Sequence, residues 1–230
     1  AAVARALTGV GASELWRART GQPLYVHVDA RHAAAHLVSF AHTLVHDESR
    51  RPALDVGASD ARVIGIFATA DGRHVQLHGS FHDGPAVLEV LGLLPGATGD
   101  DIAAAVRRRR ADDLEAELIA RGLCGGVVLE RHEWARHAQG VALAGRPAVS
   151  ITRVGDAPPE PLPDGGRPAS GVRVLDLTRV LAGPTVAKTL AEHGADVLHV
   201  SAPGLERGGP FEIDTGIGKR QAFVDLAHPE

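Results

Sequence analysis

The fold of this protein is decided by residues 172–184, which read VRVLDLTRVLAGP. Val172 to Leu177 form an apolar, β-prone run that ends in a turn, and Thr185 to His193 then carry an amphipathic helical pattern. A second β-prone run follows at Asp196 to Val200. Strand, helix and strand in this order predict a βαβ unit with parallel strands.

The turn between this strand and this helix is a candidate ligand site. Gly183 permits close backbone approach, and Pro184 suits the first helical position. N–H groups at a helix start favour an anion, and ligands of open parallel sheets bind beyond the carboxyl ends of strands. A phosphate-bearing ligand is one interpretation. A structural turn without a ligand is the other, because the glycine fingerprint of dinucleotide sites is absent.

The chain before this unit predicts a smaller α+β domain. Asp71-Gly72 lies between the β-prone runs Val63 to Phe67 and His74 to His78, which is a strong hairpin signal. Periodicity predicts the other elements. We expect helices over 3–20, 30–45, 84–91, 100–109, 111–121 and 133–137, strands over 24–28 and 126–129, and a polar, less ordered segment over 47–60.

A proline-rich segment separates the two parts. Asp156 to Pro168 holds five prolines among acidic residues and glycines, and such a composition opposes a helix or a central strand. The sequence therefore predicts three parts: residues 1–155, a linker over 156–169, and residues 170–230.

Composition excludes several protein classes. A net charge of −4 and a pI near 6.4 are not typical of a nucleic-acid binder, and no run of 18 apolar residues predicts a membrane span. Cys124 is the only cysteine, so no intramolecular disulfide forms and a reducing cytoplasm is expected. Its apolar neighbours predict a small buried side chain rather than a nucleophile. The chain has no methionine, even at position 1, and we expect it to be a fragment.

The thirteen histidines raise the question of a metal site. His132-Glu133 and His137 resemble a zinc-protease helix, but the histidines are five apart rather than four. The pairs His32 with His36, and His42 with His46, have i and i+4 spacing and would bind a metal only adventitiously. No metal is predicted.

Residues 171–197 resemble the N-terminal signature of the family III CoA-transferases, a family that includes the 2-methylacyl-CoA racemases. In that family the second strand leads to a Pro/Gly-rich loop and then to an Asn-Arg-Gly-Lys-Arg-Ser-like turn. Here Ala202-Pro203-Gly204 and Gly218-Lys219-Arg220-Gln221 occupy those places. Ser201 stands where a glutamate is usual, and Gly216-Ile217 replace Asn-Arg.

This resemblance implies an α/β fold, in which a small α+β domain is followed by the start of a Rossmann-like parallel-sheet CoA-binding domain. It implies coenzyme A as part of an acyl-CoA substrate, carboxylic acids as acceptors, and either a homodimer or association with a second segment of the same enzyme. No nucleic acid, membrane or metal partner is implied. The candidate CoA-binding residues are Thr178, Arg179, Val180, Leu181, Ala182, Lys219 and Arg220, with Arg207 a weaker candidate.

The first part of the chain resembles the later part of the same family. Arg19-Thr20-Gly21-Gln22 and the following Val26 to Ala30 match an Arg-Thr-Gly-x-Gly-Gln turn and a Val-Asp-Val strand, and Glu133-Trp134 partly matches a Glu-Trp helix. The order is thus family end, linker, family beginning. This order implies a tandem or permuted arrangement.

The family's nucleophilic aspartate has no match in this sequence, so the catalytic residue is unknown. Asp29 and Asp176 match structural positions of the family. The resemblance implies transfer of CoA between acyl-CoA thioesters and carboxylic acids. A 2-methylacyl-CoA racemase-like enzyme and a non-catalytic CoA-binding subunit are the alternatives.

Overall fold

The computed structural model describes residues 1–43, 63–79, 83–203, 210–225 and 228. The chain forms two compact units. Unit 1 comprises Ala1–Val56 and Pro158–Glu230, and unit 2 comprises Gly57–Ala157. The predicted polar segment 47–60 and the weaker candidate Arg207 lie outside the described residues.

The protein is of the mixed α/β class, as predicted. The helices are α1 (Ala2–Thr20), α2 (Ala30–Leu37), α3 (Asp83–Val90), α4 (Gly99–Val106), α5 (Ala111–Ala120), α6 (Arg131–Trp134), α7 (Ala138–Leu143), α8 (Ala182–Glu192) and α9 (Pro210–Gly216). The strands are β1 (Gly65–Ala68), β2 (His74–Leu77), β3 (Gly125–Val127), β4 (Arg173–Asp176), β5 (Asp196–Ser201) and β6 (Arg220–Phe223). None of the helices in the described ranges is both long and apolar enough to cross a membrane.

Unit 1 contains the predicted βαβ unit. Strands β4, β5 and β6 form a parallel sheet in that order, with Asp176 opposite His199. Helix α8 packs on one face of the sheet through Ala187 and Ala191, against Val197 of β5. The helix begins at Ala182, three residues earlier than predicted, so Pro184 is its third residue rather than its first.

The first 43 residues contribute two helices to unit 1. The prediction of a strand over 24–28 was wrong, because Leu24 forms both of its backbone hydrogen bonds with one side chain. Its N–H donates to Ser13 Oγ at 3.0 Å, and its carbonyl accepts from the same hydroxyl at 3.1 Å. The helix predicted over 30–45 ends at Leu37 and is followed by a short 3-10 helix over Ser39–His42.

This first segment is tied to the proline-rich linker and to residues beyond it. The Arg19 guanidinium donates to the carbonyls of Pro163, Pro168 and Ser170. The Phe40 and Phe211 rings lie 4.4 Å apart between centroids. Residues that resemble the end of the family and residues that resemble its beginning therefore share one compact unit.

Unit 2 is built on the predicted hairpin, which is confirmed. Strands β1 and β2 pair antiparallel, and β3 adds to β2 to complete a three-stranded sheet. In the turn, Gly72 has a φ of 74°, a conformation in which glycine is favoured. Helices α3, α4 and α5 supply the core that packs on the sheet, with the buried residues Val87, Leu88, Val90, Ile102, Ala105, Val106, Ala111, Leu114 and Leu118.

The core of unit 2 yields a prediction with a matched control on one helix. Leu114 of α5 is fully buried, whereas Ile119 of the same helix is 66% exposed. Leu114→Ala leaves a cavity and is expected to lower the free energy of unfolding of unit 2 by about 2–5 kcal/mol. Ile119→Ala is expected to change it by about 0.5 kcal/mol or less.

The measurement is urea unfolding followed by Trp134 fluorescence in a Trp16→Phe background, because Trp134 is then the only tryptophan and lies in unit 2. Equal effects of the two substitutions would contradict the description of this core.

Candidate functional site

The candidate site is the loop that connects β4 to α8. The strand ends at Asp176 and the helix begins at Ala182, so the loop lies at the carboxyl end of the parallel sheet. Residues 178–182 are exposed, and Val180 and Leu181 keep 43% and 39% of their surface accessible. The loop is open to a ligand rather than covered by the described part of the chain.

Asp176 anchors the start of this loop. Its Oδ1 accepts hydrogen bonds from the Thr178 backbone N–H at 3.0 Å and from the Thr178 hydroxyl at 2.5 Å. Its Oδ2 accepts from Lys219 Nζ at 2.8 Å and lies 3.3 Å from His199 Nδ1. Both carboxylate oxygens are therefore engaged, and the side chain is 1% exposed.

Lys219 connects the two ends of the loop. Its ammonium donates to Asp176 on one side and to the Pro184 carbonyl, in the first turn of α8, at 2.9 Å on the other. The Lys219 side chain is completely buried. A buried ammonium is stable only when it is paired and hydrogen-bonded, and these two acceptors meet that need.

The pKa of Asp176 reflects two opposing effects. Burial raises the pKa of this carboxyl, but hydrogen bonds from Lys219 and Thr178 lower it by more, so it lies below its ordinary value of 3.8. Asp176 is therefore a buried carboxylate at neutral pH.

The loop itself is strained at Val180. This residue has a φ of 70°, the left-handed region that a β-branched side chain rarely adopts. Beside it, Gly183 packs so closely on Thr178 that an added Cβ would lie 2.4 Å from Thr178 Cβ. The predicted need for glycine at position 183 thus has its physical reason in this contact with Thr178.

The predicted basic residues occupy different places. Lys219 reaches the loop, but its ammonium is enclosed and paired, so it presents no exposed charge to a phosphate. The Arg220 guanidinium is 2.6 Å from Asp196, the first residue of β5, at the opposite end of the sheet from the loop. This position gives no support to a direct contact between Arg220 and a ligand at the loop.

Neither aspartate considered in the sequence is free to act as a nucleophile. Asp176 is enclosed as described above. Asp29 caps the N-terminus of α2, accepting from the backbone N–H groups of Arg31 and His32, and also pairs with the Arg31 side chain. The bond to the Arg31 side chain, followed by these backbone bonds, lowers the pKa of Asp29 to about 2. Both residues thus have the structural role that was expected.

The remaining candidates that the structure describes do not assemble into a metal site, and His46 lies outside the described residues. His32 and His36 line a cavity of about 370 Å³ in unit 1. No group of three potential metal ligands occurs among the described residues. The prediction that Cys124 is buried was wrong: Leu123 packs against the core, and the neighbouring Cys124 is exposed.

Three features of the loop were missed in the sequence. These are the His199 ring beside Asp176, the Pro184 carbonyl as an acceptor for Lys219, and the left-handed backbone of Val180. Only the first had a sequence signal, since a histidine in a β-strand facing an aspartate of the neighbouring strand is a candidate partner.

Comparison with known proteins relates this region to one family. Residues 169–227 match the family model described as CoA-transferase family III. An acyl-CoA transferase of Gibberella moniliformis is 32% identical over 184 residues, which cover 73% of this chain and 32% of the relative. The acetyl-coenzyme A transferase nodX of Hypoxylon pulicicidum is 29% identical and covers 72% of this chain and 31% of the relative.

Among solved structures, the hypothetical protein Rv3272 from Mycobacterium tuberculosis has 36% sequence identity to this chain over the aligned region. That region covers 27% of this chain and 19% of Rv3272, and the TM-score is 0.22. The chain spans about a third of the length of the two fungal relatives.

The low pKa of Asp176 predicts how the stability of unit 1 depends on pH. Because the pKa is lower in the folded state, the carboxylate stabilises fully above its ordinary value of 3.8, and this contribution is lost as pH falls through the folded pKa. The free energy of unfolding should therefore decrease as the pH falls below that ordinary value. Asp176→Asn should make that decrease smaller, while Asp164→Asn in the exposed linker should leave it unchanged.

Urea unfolding followed by Trp16 fluorescence in a Trp134→Phe background reports unit 1. The same pH dependence in the Asp176→Asn protein and in the parent would contradict the assignment.

Proposed function

We propose that this chain binds coenzyme A at the loop Thr178–Ala182 and takes part in CoA transfer between acyl-CoA thioesters and carboxylic acids, since residues 169–227 match the model of CoA-transferase family III. The match to the family model carries this proposal, because it spans both the loop and Lys219. The exposure of the loop at the carboxyl end of a parallel sheet supports it, since ligands of such sheets bind there.

The start of α8 supports an anionic ligand. The helix has no side-chain cap and no acidic residue in its first turn, so neither of these supplies a negative charge to its positive end. Coenzyme A carries phosphate groups, which suit such a helix start. Arg179 is exposed in the loop itself and is the arginine that would contact a phosphate there.

The chemical step needs a carboxylate that the described part of this chain leaves unassigned. In the covalent route that the family resemblance implies, a carboxylate attacks the thioester carbonyl and CoA leaves as the thiolate. Asp29 and Asp176 are both engaged in structural bonds. We therefore assign the nucleophile to a further segment of the same enzyme or to a second subunit of a dimer. The single cysteine of the chain supports a reaction in the cytoplasm.

The tandem arrangement belongs to the same proposal. The two fungal relatives match more than 70% of the chain, far more than residues 169–227 alone. This extent supports the assignment of residues 1–155 to the end of one family copy and of residues 170–230 to the beginning of the next, joined by the linker 156–169.

Two measurements test the function. Isothermal titration calorimetry with coenzyme A tests binding by the chain itself, and the absence of binding heat would contradict the proposal. A CoA-transfer assay with a panel of acyl-CoA donors and carboxylic acid acceptors tests the reaction. Binding without transfer would indicate a non-catalytic CoA-binding module, and exchange of the α-hydrogen of a 2-methylacyl-CoA with solvent deuterium would indicate a racemase.

Arg179 provides the site-specific prediction. Arg179→Ala removes a charge from the loop and should weaken CoA binding by about tenfold, the loss of one charge-assisted hydrogen bond. Arg173→Ala is the matched control, because Arg173 is also an exposed arginine but begins β4 at the other end of the sheet. Calorimetry measures the affinity of both variants for coenzyme A. Equal affinities in the two variants would indicate that the ligand binds elsewhere.

A further inference from the structure

The strained loop is held in place by one buried charge. Lys219 Nζ contacts Asp176, which precedes the loop, and the Pro184 carbonyl, which follows it, at 2.8 and 2.9 Å. A single ammonium thus sets the distance between the two ends of the connection. We call this arrangement, formed by Asp176, Lys219 and the Pro184 carbonyl, the loop clamp.

Strain of this kind persists only when the surroundings enforce it. A valine at a φ of 70° costs free energy that the loop would recover by relaxing to a negative φ. The loop clamp, the two Thr178 hydrogen bonds to Asp176 and the close packing of Gly183 on Thr178 oppose that relaxation.

We propose that Asp176 and Lys219 are positioning residues that hold the loop around Val180 in its ligand-binding conformation through the loop clamp. This proposal rests on the proposed function, because it assigns the clamp a role in the affinity for coenzyme A. Lys219 then acts on the ligand through the backbone that it holds, without touching a phosphate.

Unit 1 contains a natural control for this idea. Lys188 and Asp214 form a second buried pair, with Nζ 2.9 Å from Oδ1 and both side chains 9% exposed. This pair joins α8 to α9, and Ser39 Oγ donates to the other carboxylate oxygen of Asp214 at 2.7 Å. It has the same chemistry and nearly the same geometry as the Asp176–Lys219 pair, but it does not touch the loop.

The test compares two double substitutions in the full chain. Asp176→Asn with Lys219→Met removes the clamp, and Asp214→Asn with Lys188→Met removes the control pair. Each replaces both charges, so no unpaired charge is left buried. Calorimetry should show affinity for coenzyme A weakened by about tenfold without the clamp and within about twofold of the parent without the control pair. Equal changes in both proteins, or no change without the clamp, overturn the proposal.

A second experiment distinguishes an effect of the clamp on the loop conformation from an effect on the stability of the protein. Glycine adopts a φ of 70° without strain, so adding Val180→Gly to the clamp-deficient protein should restore part of the lost affinity. If the clamp-deficient protein does not fold, single substitutions of Val180 test the proposal instead. Val180→Pro, which fixes φ near about −65°, should lose affinity, and Val180→Gly should keep it. Unchanged binding by the Val180→Pro protein overturns the proposal.

Hydrogen exchange of the ligand-free protein distinguishes a failure of the proposed function from a failure of the loop clamp. The backbone amides of residues 178–183 should exchange faster without the clamp than in the parent and in the control. If the parent binds no coenzyme A but this difference is seen, the proposed function fails while the clamp stands. If coenzyme A binds and the exchange rates do not differ, the clamp fails alone.

Discussion

The buried ammonium of Lys219 is the interaction on which the geometry of the candidate site depends. Lys219 immediately precedes β6, while its acceptors lie at the end of β4 and in the first turn of α8. One charge therefore connects the third strand of the sheet, the first strand and the helix between β4 and β5. Because an unpaired charge in this position is costly, the docking of β6 and the conformation of the loop are energetically linked.

Unit 1 relies on such polar contacts because its described apolar core is small. Its buried apolar residues are alanines, Pro184 and one valine, Val197, whereas the core of unit 2 is formed mostly by valines, leucines and an isoleucine. Alanines bury little apolar surface, so each contributes little through the hydrophobic effect. The Lys188–Asp214 pair, the Ser39 hydroxyl and the bonds from Arg19 to the linker carbonyls add polar contacts to this small core. Residues 1–43 are thus part of the unit that carries the candidate site.

The sequence correctly predicted those secondary-structure elements that are determined by residues close to one another in the chain. The βαβ pattern, the Asp71-Gly72 hairpin and most helices were predicted because periodicity and turn chemistry act over a few residues. It failed for residues 24–28, where one Ser13 hydroxyl replaces a strand partner. Likewise, the sequence placed Lys219 and Arg220 together as cations, but their neighbours across the sheet direct one to the buried Asp176 and the other to Asp196. Such pairings depend on tertiary register, which no local pattern encodes.

The chemistry of Asp176 also limits where catalysis can occur. A carboxylate whose two oxygens accept three hydrogen bonds and lie beside the His199 ring, and whose pKa is lowered by Lys219 and Thr178, is stabilised as an anion and shielded from an electrophile. In the proposed complex the loop binds the nucleotide half of coenzyme A, while the thioester lies at the other end of the pantetheine arm. In that complex, a residue that fixes the loop at the nucleotide half would not also reach the thioester carbonyl. Under this proposal, binding of the nucleotide and attack on the thioester are tasks of different elements, and the loop between β4 and α8 has the first task.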